Sequence, residues 1–248
     1  METKKVKKKR FNVARTLVFI LLIYIVVCFG IYLYKEPVKH YEITGNEILT
    51  DIELIRDLKL EKYPSFVSIN TKKLEHKLES NKLIKNAKVS YGWNFKLKIE
   101  IEENSPMFLA KDLNKVVLAD GTFIDFESRF IGIPTLLNST PEVIMTELAS
   151  SLNKVDYGIR YIISEIEYQP SYSSDGKIID ENRFLLSMSD RNLVYITAKK
   201  ADSLNEYLDI IATEQITKAG TLFLDSNEGR YTFKFHEETT EEVVVDEE

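Results

Sequence analysis

The chain has 248 residues, 44% of them hydrophobic and 29% charged, which excludes a disordered polymer and fits a folded protein carrying one unusual segment. Its net charge of −6 is unevenly spread: seven of the first fifteen residues are basic, whereas the last twelve hold seven acids and no base. The body between is mildly acidic and offers no broad basic face, which excludes nucleic acid as a partner.

Residues 16–34, TLVFILLIYIVVCFGIYLY, contain no charge. As a helix rising about 1.5 Å per residue they span roughly 28 Å, close to the hydrocarbon thickness of a bilayer. Tyr32 and Tyr34 fall at the far end, where amphipathic rings favour the interface. Basic residues crowd the near flank and Lys35, Glu36 and Lys39 almost balance beyond it, so the N-terminus is expected in the cytoplasm and the rest outside. A cleaved signal peptide would have a shorter apolar core ending in small residues, whereas this run ends in Ile31, Tyr32, Leu33 and Tyr34. The basic tail also suits anionic lipid. Cys28 is the single cysteine, so an internal disulfide is impossible, and with Val27 before it and Phe29 after it the site does not fit lipoprotein acylation.

Beyond the anchor, residues 38–43 alternate and end at a Thr44-Gly45-Asn46 turn, which reads as a strand. Thr50 and Glu53 form a capping box before a helix with Ile52, Ile55 and Leu58 at helical spacing. Tyr63-Pro64-Ser65 breaks the chain, and a second helix starts near Asn70 or Thr71 with Leu74 and Leu78 one turn apart. Ala87, Val89 and Tyr91 alternate with polar residues; a turn at Gly92-Trp93-Asn94 follows, and then Phe95, Leu97, Ile99 and Ile101 face one way against Lys96, Lys98, Glu100 and Glu102. The order is β-α-α-β-β, closing on a hairpin, with one sheet face buried under the helices and one wet.

In the next stretch Asp120-Gly121 separates two short strands at 116–118 and 123–126. Thr140-Pro141-Glu142 opens a helix, with Thr140 as cap and Pro141 first in the helix, and Ile144, Leu148 and Leu152 as its apolar stripe. A strand is expected over 161–168, a turn at Ser174-Asp175-Gly176 and a hairpin of 184–188 with 193–197. Leu204, Tyr207, Leu208 and Ile211 fit another helix, and 222–224 with 231–235 form a last hairpin around Asn227-Glu228-Gly229. This predicts a largely antiparallel sheet with two helices. The acidic tail 237–248 reads as disordered.

Catalytic chemistry is not evident. His40, His76 and His236 lie in three separate elements without metal-ligand spacing, and there is no phosphate loop or serine elbow. Asp120 and Asp125 are the one carboxylate pair that could act as acid and base, but Asp120-Gly121 already has a turn role. No catalytic residue, cofactor site or metal site is therefore expected.

The segments VKHYEITG (38–45), IKNAKV (84–89), LKIEIEE (97–103) with Pro106, VLADGTF (117–123) and IPTL (133–136), in that order behind a basic tail and one anchor, resemble the bacterial division family called FtsQ in one lineage and DivIB in another. Asn94 stands where the family often has proline, and the cytoplasmic tail is shorter than in many relatives. The resemblance implies an α+β fold: a basic cytoplasmic tail (1–15), a transmembrane helix (16–34), a POTRA domain (38–110), a β domain (111–236) and the acidic tail. It implies a non-enzymatic divisome scaffold at the septum. Its partners would be DivIC- or FtsB-like and FtsL-like single-pass coiled-coil proteins, through which it helps regulate the septal peptidoglycan synthase. A POTRA-type transport chaperone and an anchored extracytoplasmic cell-wall enzyme are the alternatives.

Within this frame Tyr231, Thr232, Phe233, Lys234 and Phe235 are the candidate partner-binding residues. They form the last predicted strand, whose free edge would expose unpaired backbone groups to an added strand. Thr232 or Lys234 is expected to turn its amide outward. The aromatic side chains also fit simple core filling under the sheet, which is compatible with a binding backbone edge.

Overall fold

The computed structural model describes residues 13–226 and 231–236, and the chain divides into two compact units between Glu103 and Asn104. The first begins with α1 (Val13–Lys35), which is apolar all round with no residue buried against protein, and which is long and apolar enough to cross a membrane. It encloses the expected 16–34 span.

After α1 come β1 (His40–Thr44), α2 (Asp51–Asp57), α3 (Thr71–Glu79), β2 (Ile84–Tyr91) and β3 (Lys96–Glu103), in the expected β-α-α-β-β order. β3 lies in the middle of the sheet, antiparallel to β2 and parallel to β1. Its alternation explains the placement: Leu97, Ile99 and Ile101 are buried, as are Ala87 and Val89 on β2, while Tyr91 at the end of β2 is exposed. Gly45 is obligatory, because its φ is +84° and a Cβ there would lie 2.0 Å from the Ile101 carbonyl oxygen.

The capping box forms as expected: the Glu53 amide donates to Thr50 Oγ1 (3.3 Å) and the Thr50 amide donates to Glu53 Oε2 (2.9 Å). The stripe of α2 differs, however. Leu58 is buried as expected, but its buried partner one turn earlier is Leu54, whereas Ile52 is exposed, because positions i and i+4 of a helix share one face. In α3 the Asn70 side chain accepts from the Lys73 amide. Glu75 is buried there and accepts from the outward-facing Val89 amide (3.0 Å), so this carboxylate occupies an open position on the edge strand β2.

The expected first unit ended at residue 110, but the structure ends it at Glu103. The reason is β4 (Pro106–Ala110), which pairs with β5 (Lys115–Leu118) and so belongs to the second sheet.

That sheet continues with β6 (Phe123–Asp125), β7 (Thr135–Leu136), β8 (Ile163–Tyr168), β11 (Arg183–Met188), β12 (Leu193–Thr197), β13 (Gly220–Phe223) and β14 (Thr232–Phe235), in the spatial order β14-β13-β12-β11-β8-β7-β4-β5-β6. β9 (Ser171–Tyr172) and β10 (Ile178–Asp180) form a separate small hairpin around the Gly176 turn. The nine-stranded sheet is largely antiparallel, with parallel contacts at β12–β13, β4–β7 and β7–β8.

One face of the sheet is packed by α4 (Glu142–Leu152), α5 (Tyr157–Tyr161), α6 (Tyr207–Thr213) and the 3-10 segment Ala198–Glu206, burying Phe108, Leu136, Leu148, Phe184, Leu186, Ile196 and Leu222 among others. Three expectations are corrected here. Thr140 does not cap α4; its hydroxyl donates to the Asn138 carbonyl (3.2 Å), and Pro141 stands at the cap with α4 starting one residue later. The strand expected from 161 begins at Ile163, because 157–161 coil into α5. The last helical stripe is Ala198, Ala201, Leu204, Tyr207 and Ile210, and Leu208 is exposed. Ala198, Ala201 and Leu204 lie in the 3-10 segment, whose three residues per turn bring every third residue inward; in α6 Tyr207 is buried and Ile211 packs partly against the core as expected, so Leu208 alone departs from the expected stripe.

Candidate partner-binding edge

β13 enters the sheet parallel to β12, and β14 returns antiparallel on its outer side. Among the described residues β14 is the end strand of the sheet. Residues 227–230, where the turn between these strands was expected, lie outside the described residues, as does the tail from 237.

The phase of the backbone follows from three hydrogen bonds. The His236 amide donates to the Ala219 carbonyl (3.1 Å) in register with the β13–β14 pairs Thr221–Lys234 and Phe223–Thr232. On the other side of β13 the Gly220 amide donates to Asn192 Oδ1 (2.9 Å) and the Leu224 amide to the Tyr195 carbonyl (2.9 Å). Because antiparallel pairs alternate between hydrogen-bonded and open, Thr232 and Lys234 bond inward to β13, and Phe233 and Phe235 turn their N–H and C=O outward. This corrects the expectation that the outward amide would be that of Thr232 or Lys234. The alternation of side chains was legible in the sequence; the hydrogen-bond phase was not, because it depends on register with another strand, β13.

The side chains divide by face. Phe233 packs partly against the core, its ring lying over Gly220, where a Cβ would stand 2.4 Å from ring carbon Cε1. Phe235 stacks edge-on against Phe233 at 5.2 Å and remains 60% exposed. Tyr231 is 40% exposed and its hydroxyl donates to Glu214 Oε1 (2.8 Å). Core filling therefore describes Phe233 alone. On the opposite face Lys234 lies over the Phe223 ring (5.2 Å), Phe223 stacks on Tyr195 (5.1 Å), and Arg183 covers Tyr195 (3.7 Å) while pairing with Asp225 (2.7 Å). This stack ties four strands together under the edge.

A polar cluster that no local pattern in the sequence marks as a whole fixes the root of β13. The Tyr207 hydroxyl donates to Asp190 Oδ2 and accepts from Asn192 Nδ2 (2.9 Å), and Asn192 in turn receives the Gly220 amide. Burial, and then the bond to Asp190, push the Tyr207 hydroxyl well above the ordinary tyrosine range, so it stays a neutral donor. The only available signal was the Asp190-Arg191-Asn192 turn itself, since its partners lie far along the chain.

The Asp120–Asp125 pair shows no acid–base geometry. Burial raises the Asp120 carboxyl, but hydrogen bonds from Asn104 and Thr122 outweigh it and hold it below the usual carboxylate range, opposite to what a general acid needs. Asp125 is exposed on β6. His40, His76 and His236 are separated, and among the described residues no group of three His, Cys, Asp or Glu side chains is placed to hold a metal.

Among the described residues the chain combines an N-terminal helix long and apolar enough to cross a membrane, a three-stranded β-α-α-β-β unit of POTRA type and a mixed β domain that ends on the edge strand β14. The family profile described as "POTRA domain, FtsQ-type" matches residues 36–104. The chain is 31% identical over 230 residues to the cell division protein DivIB of Bacillus subtilis (strain 168), covering 89% of this chain and 85% of that protein. It is 29% identical over 226 residues to DivIB of Weissella koreensis, covering 86% and 76%. A solved structure of the major extracytoplasmic domain of the trans isomer of DivIB from Geobacillus stearothermophilus overlaps with a TM-score of 0.36 at 21% identity, over 47% of this chain and 99% of that one. The chain belongs to the DivIB family of cell division proteins.

Proposed function

We propose that this protein is a non-enzymatic scaffold of the division machinery, held in the cell membrane by α1 with its N-terminus in the cytoplasm and both folded units outside. It works by holding DivIC-like and FtsL-like single-pass coiled-coil proteins, and through them it helps regulate septal peptidoglycan synthesis. The observation that carries this reading is the edge of β14, which ends the sheet among the described residues and turns the N–H and C=O groups of Phe233 and Phe235 outward beside the exposed rings of Tyr231 and Phe235. An extended partner segment adds to such an edge through main-chain hydrogen bonds, and alternate side chains select it. Here one face offers aromatic surface and the other Lys234, so the edge suits a segment that alternates apolar and acidic residues.

The test is a pull-down of the full chain with the DivIC-like protein. Phe235→Pro removes one outward donor without removing a bond to β13, so it should abolish capture while thermal melting stays near wild type. Phe235→Ala keeps the amide and loses the ring, so it should weaken capture without ending it. Undiminished capture by a folded Phe235→Pro protein would show that this edge is not the interface.

A further inference from the structure

Trp93 is the only tryptophan in the chain and is 93% exposed, at the tip of the β2–β3 hairpin. Trp93 has no part in the proposed partner edge, and tryptophan is enriched at interfaces and in membrane belts, where one end of the ring is apolar and the other wet. Its position in the first unit points to the membrane. Only residues 36–39 separate the end of α1 from β1. The Lys39 amide donates to the Phe95 carbonyl (3.0 Å), which pins the hairpin turn beside that short linker. The Phe66 amide donates to the Glu36 carbonyl (3.0 Å), and the Ser65 hydroxyl donates to the Tyr34 carbonyl within α1 itself. Phe66 then packs edge-on against both Phe95 (5.4 Å) and Tyr91 (4.8 Å). The hairpin tip and the 63–68 loop are thus bonded to the C-terminal end of the helix, while Glu103 and the start of α2 lie at the opposite end of the strands.

The rim so formed is amphipathic. Besides Trp93 it exposes Tyr63 (54%) and Val67 (54%), and Lys39 lies over the Phe95 ring at 4.9 Å. The 23 residues of α1 rise about 34 Å, against a hydrocarbon core of about 30 Å and a headgroup layer of roughly 5–8 Å on each side. The end of α1 therefore lies at the interface, and a rim bonded to its last turn has the headgroup layer as its nearest surroundings. Tryptophan and tyrosine favour this layer, where the ring is half in an apolar environment and the polar edge keeps a hydrogen bond.

We propose that Trp93, with Val67 and Tyr63, docks the POTRA unit onto the lipid headgroup layer, so that the first unit is held against the bilayer instead of swinging on its linker. This rests on the reading of α1 as a membrane anchor. The occupant is a lipid surface, and a Trp93 left in water beside an anchored helix is the contrary outcome of the test.

The full chain is reconstituted in phosphatidylethanolamine–phosphatidylglycerol vesicles, and the intrinsic emission of Trp93 is read directly. One vesicle set carries lipid brominated near the glycerol end of the acyl chain, another near its terminal methyl, and iodide is added to the water. Docking predicts emission shifted to shorter wavelength, stronger quenching by the shallow bromines than by the deep ones, and poor quenching by iodide. A second variant, Trp93→Phe with Ile52→Trp, moves the reporter to the exposed start of α2, and its emission should respond to iodide and to neither lipid. Flotation after alkaline carbonate treatment separates the two claims. A chain that floats while Trp93 is quenched by iodide and untouched by either brominated lipid overturns the docking and leaves the anchor standing. A chain that does not float overturns the anchor and the docking with it.

Discussion

Ile99 and Lys98 are neighbours in sequence and opposites in surroundings, because successive residues of β3 point to opposite faces. Ile99 is fully buried, so Ile99→Ala should leave a cavity and cost about 2–5 kcal/mol, whereas Lys98→Ala should stay within about 0.5 kcal/mol. Urea unfolding of the two variants checks this, and equal losses would mean the face assignment is wrong. Tyr41 adds a pH dependence. Its hydroxyl donates to the Leu60 carbonyl (2.7 Å), and burial, with a smaller contribution from Tyr63, pushes it from the ordinary 10.0 up to about 12. The folded state keeps this proton where the unfolded chain releases it. The stabilisation is therefore complete below pH 10 and is lost as the pH rises from 10 toward 12. Tyr41→Phe should flatten that part of the stability profile, and an unchanged slope would remove Tyr41 from the explanation. The alternation at Leu97, Ile99 and Ile101 was legible because period 2 is written in the sequence. The Tyr41–Leu60 and Tyr207–Asp190 bonds were not, because nothing local marks partners 17 or 19 residues away.

At the scale of elements, what the sequence revealed depended on length and regularity. The Thr50–Glu53 box, the hairpins around Asp120-Gly121 and Asp190-Arg191-Asn192 and the strand β3 each carry several agreeing signals. β7 has two residues and α5 five, too few for a periodic pattern, and the 3-10 segment before α6 follows a period of three that a helical template misreads. The parallel pairings β1–β3 and β12–β13 join distant segments and have no local signature. One element-level consequence concerns Gly220. A Cβ there would lie 2.4 Å from the Phe233 ring and 2.5 Å from the Lys234 carbonyl oxygen, so the backbone of β14 itself stands in the way. Gly220→Ala should push β14 off β13, lower the melting temperature and weaken partner capture together. Full capture by this variant would mean that β14 need not be seated for binding.

For the whole molecule, charge bears on the direction of the anchor and the edge of β14 on the proposed binding. The basic flank ahead of α1 and the near balance beyond it favour a cytoplasmic N-terminus. A reporter active only outside the cytoplasm should therefore work when fused after His236 and fail when fused ahead of Phe11; the reverse pattern would invert the topology. The binding claim is tested most directly by residue-resolved amide hydrogen exchange on the full chain, with and without the DivIC-like protein. In the free protein the Thr232 and Lys234 amides, bonded to β13, should exchange slowly, and those of Phe233 and Phe235 quickly. Adding the partner should slow Phe233 and Phe235 selectively, the signature of a strand laid along the edge of β14. Fast exchange at both positions in a saturated complex, with protection appearing elsewhere, would contradict strand addition at this edge.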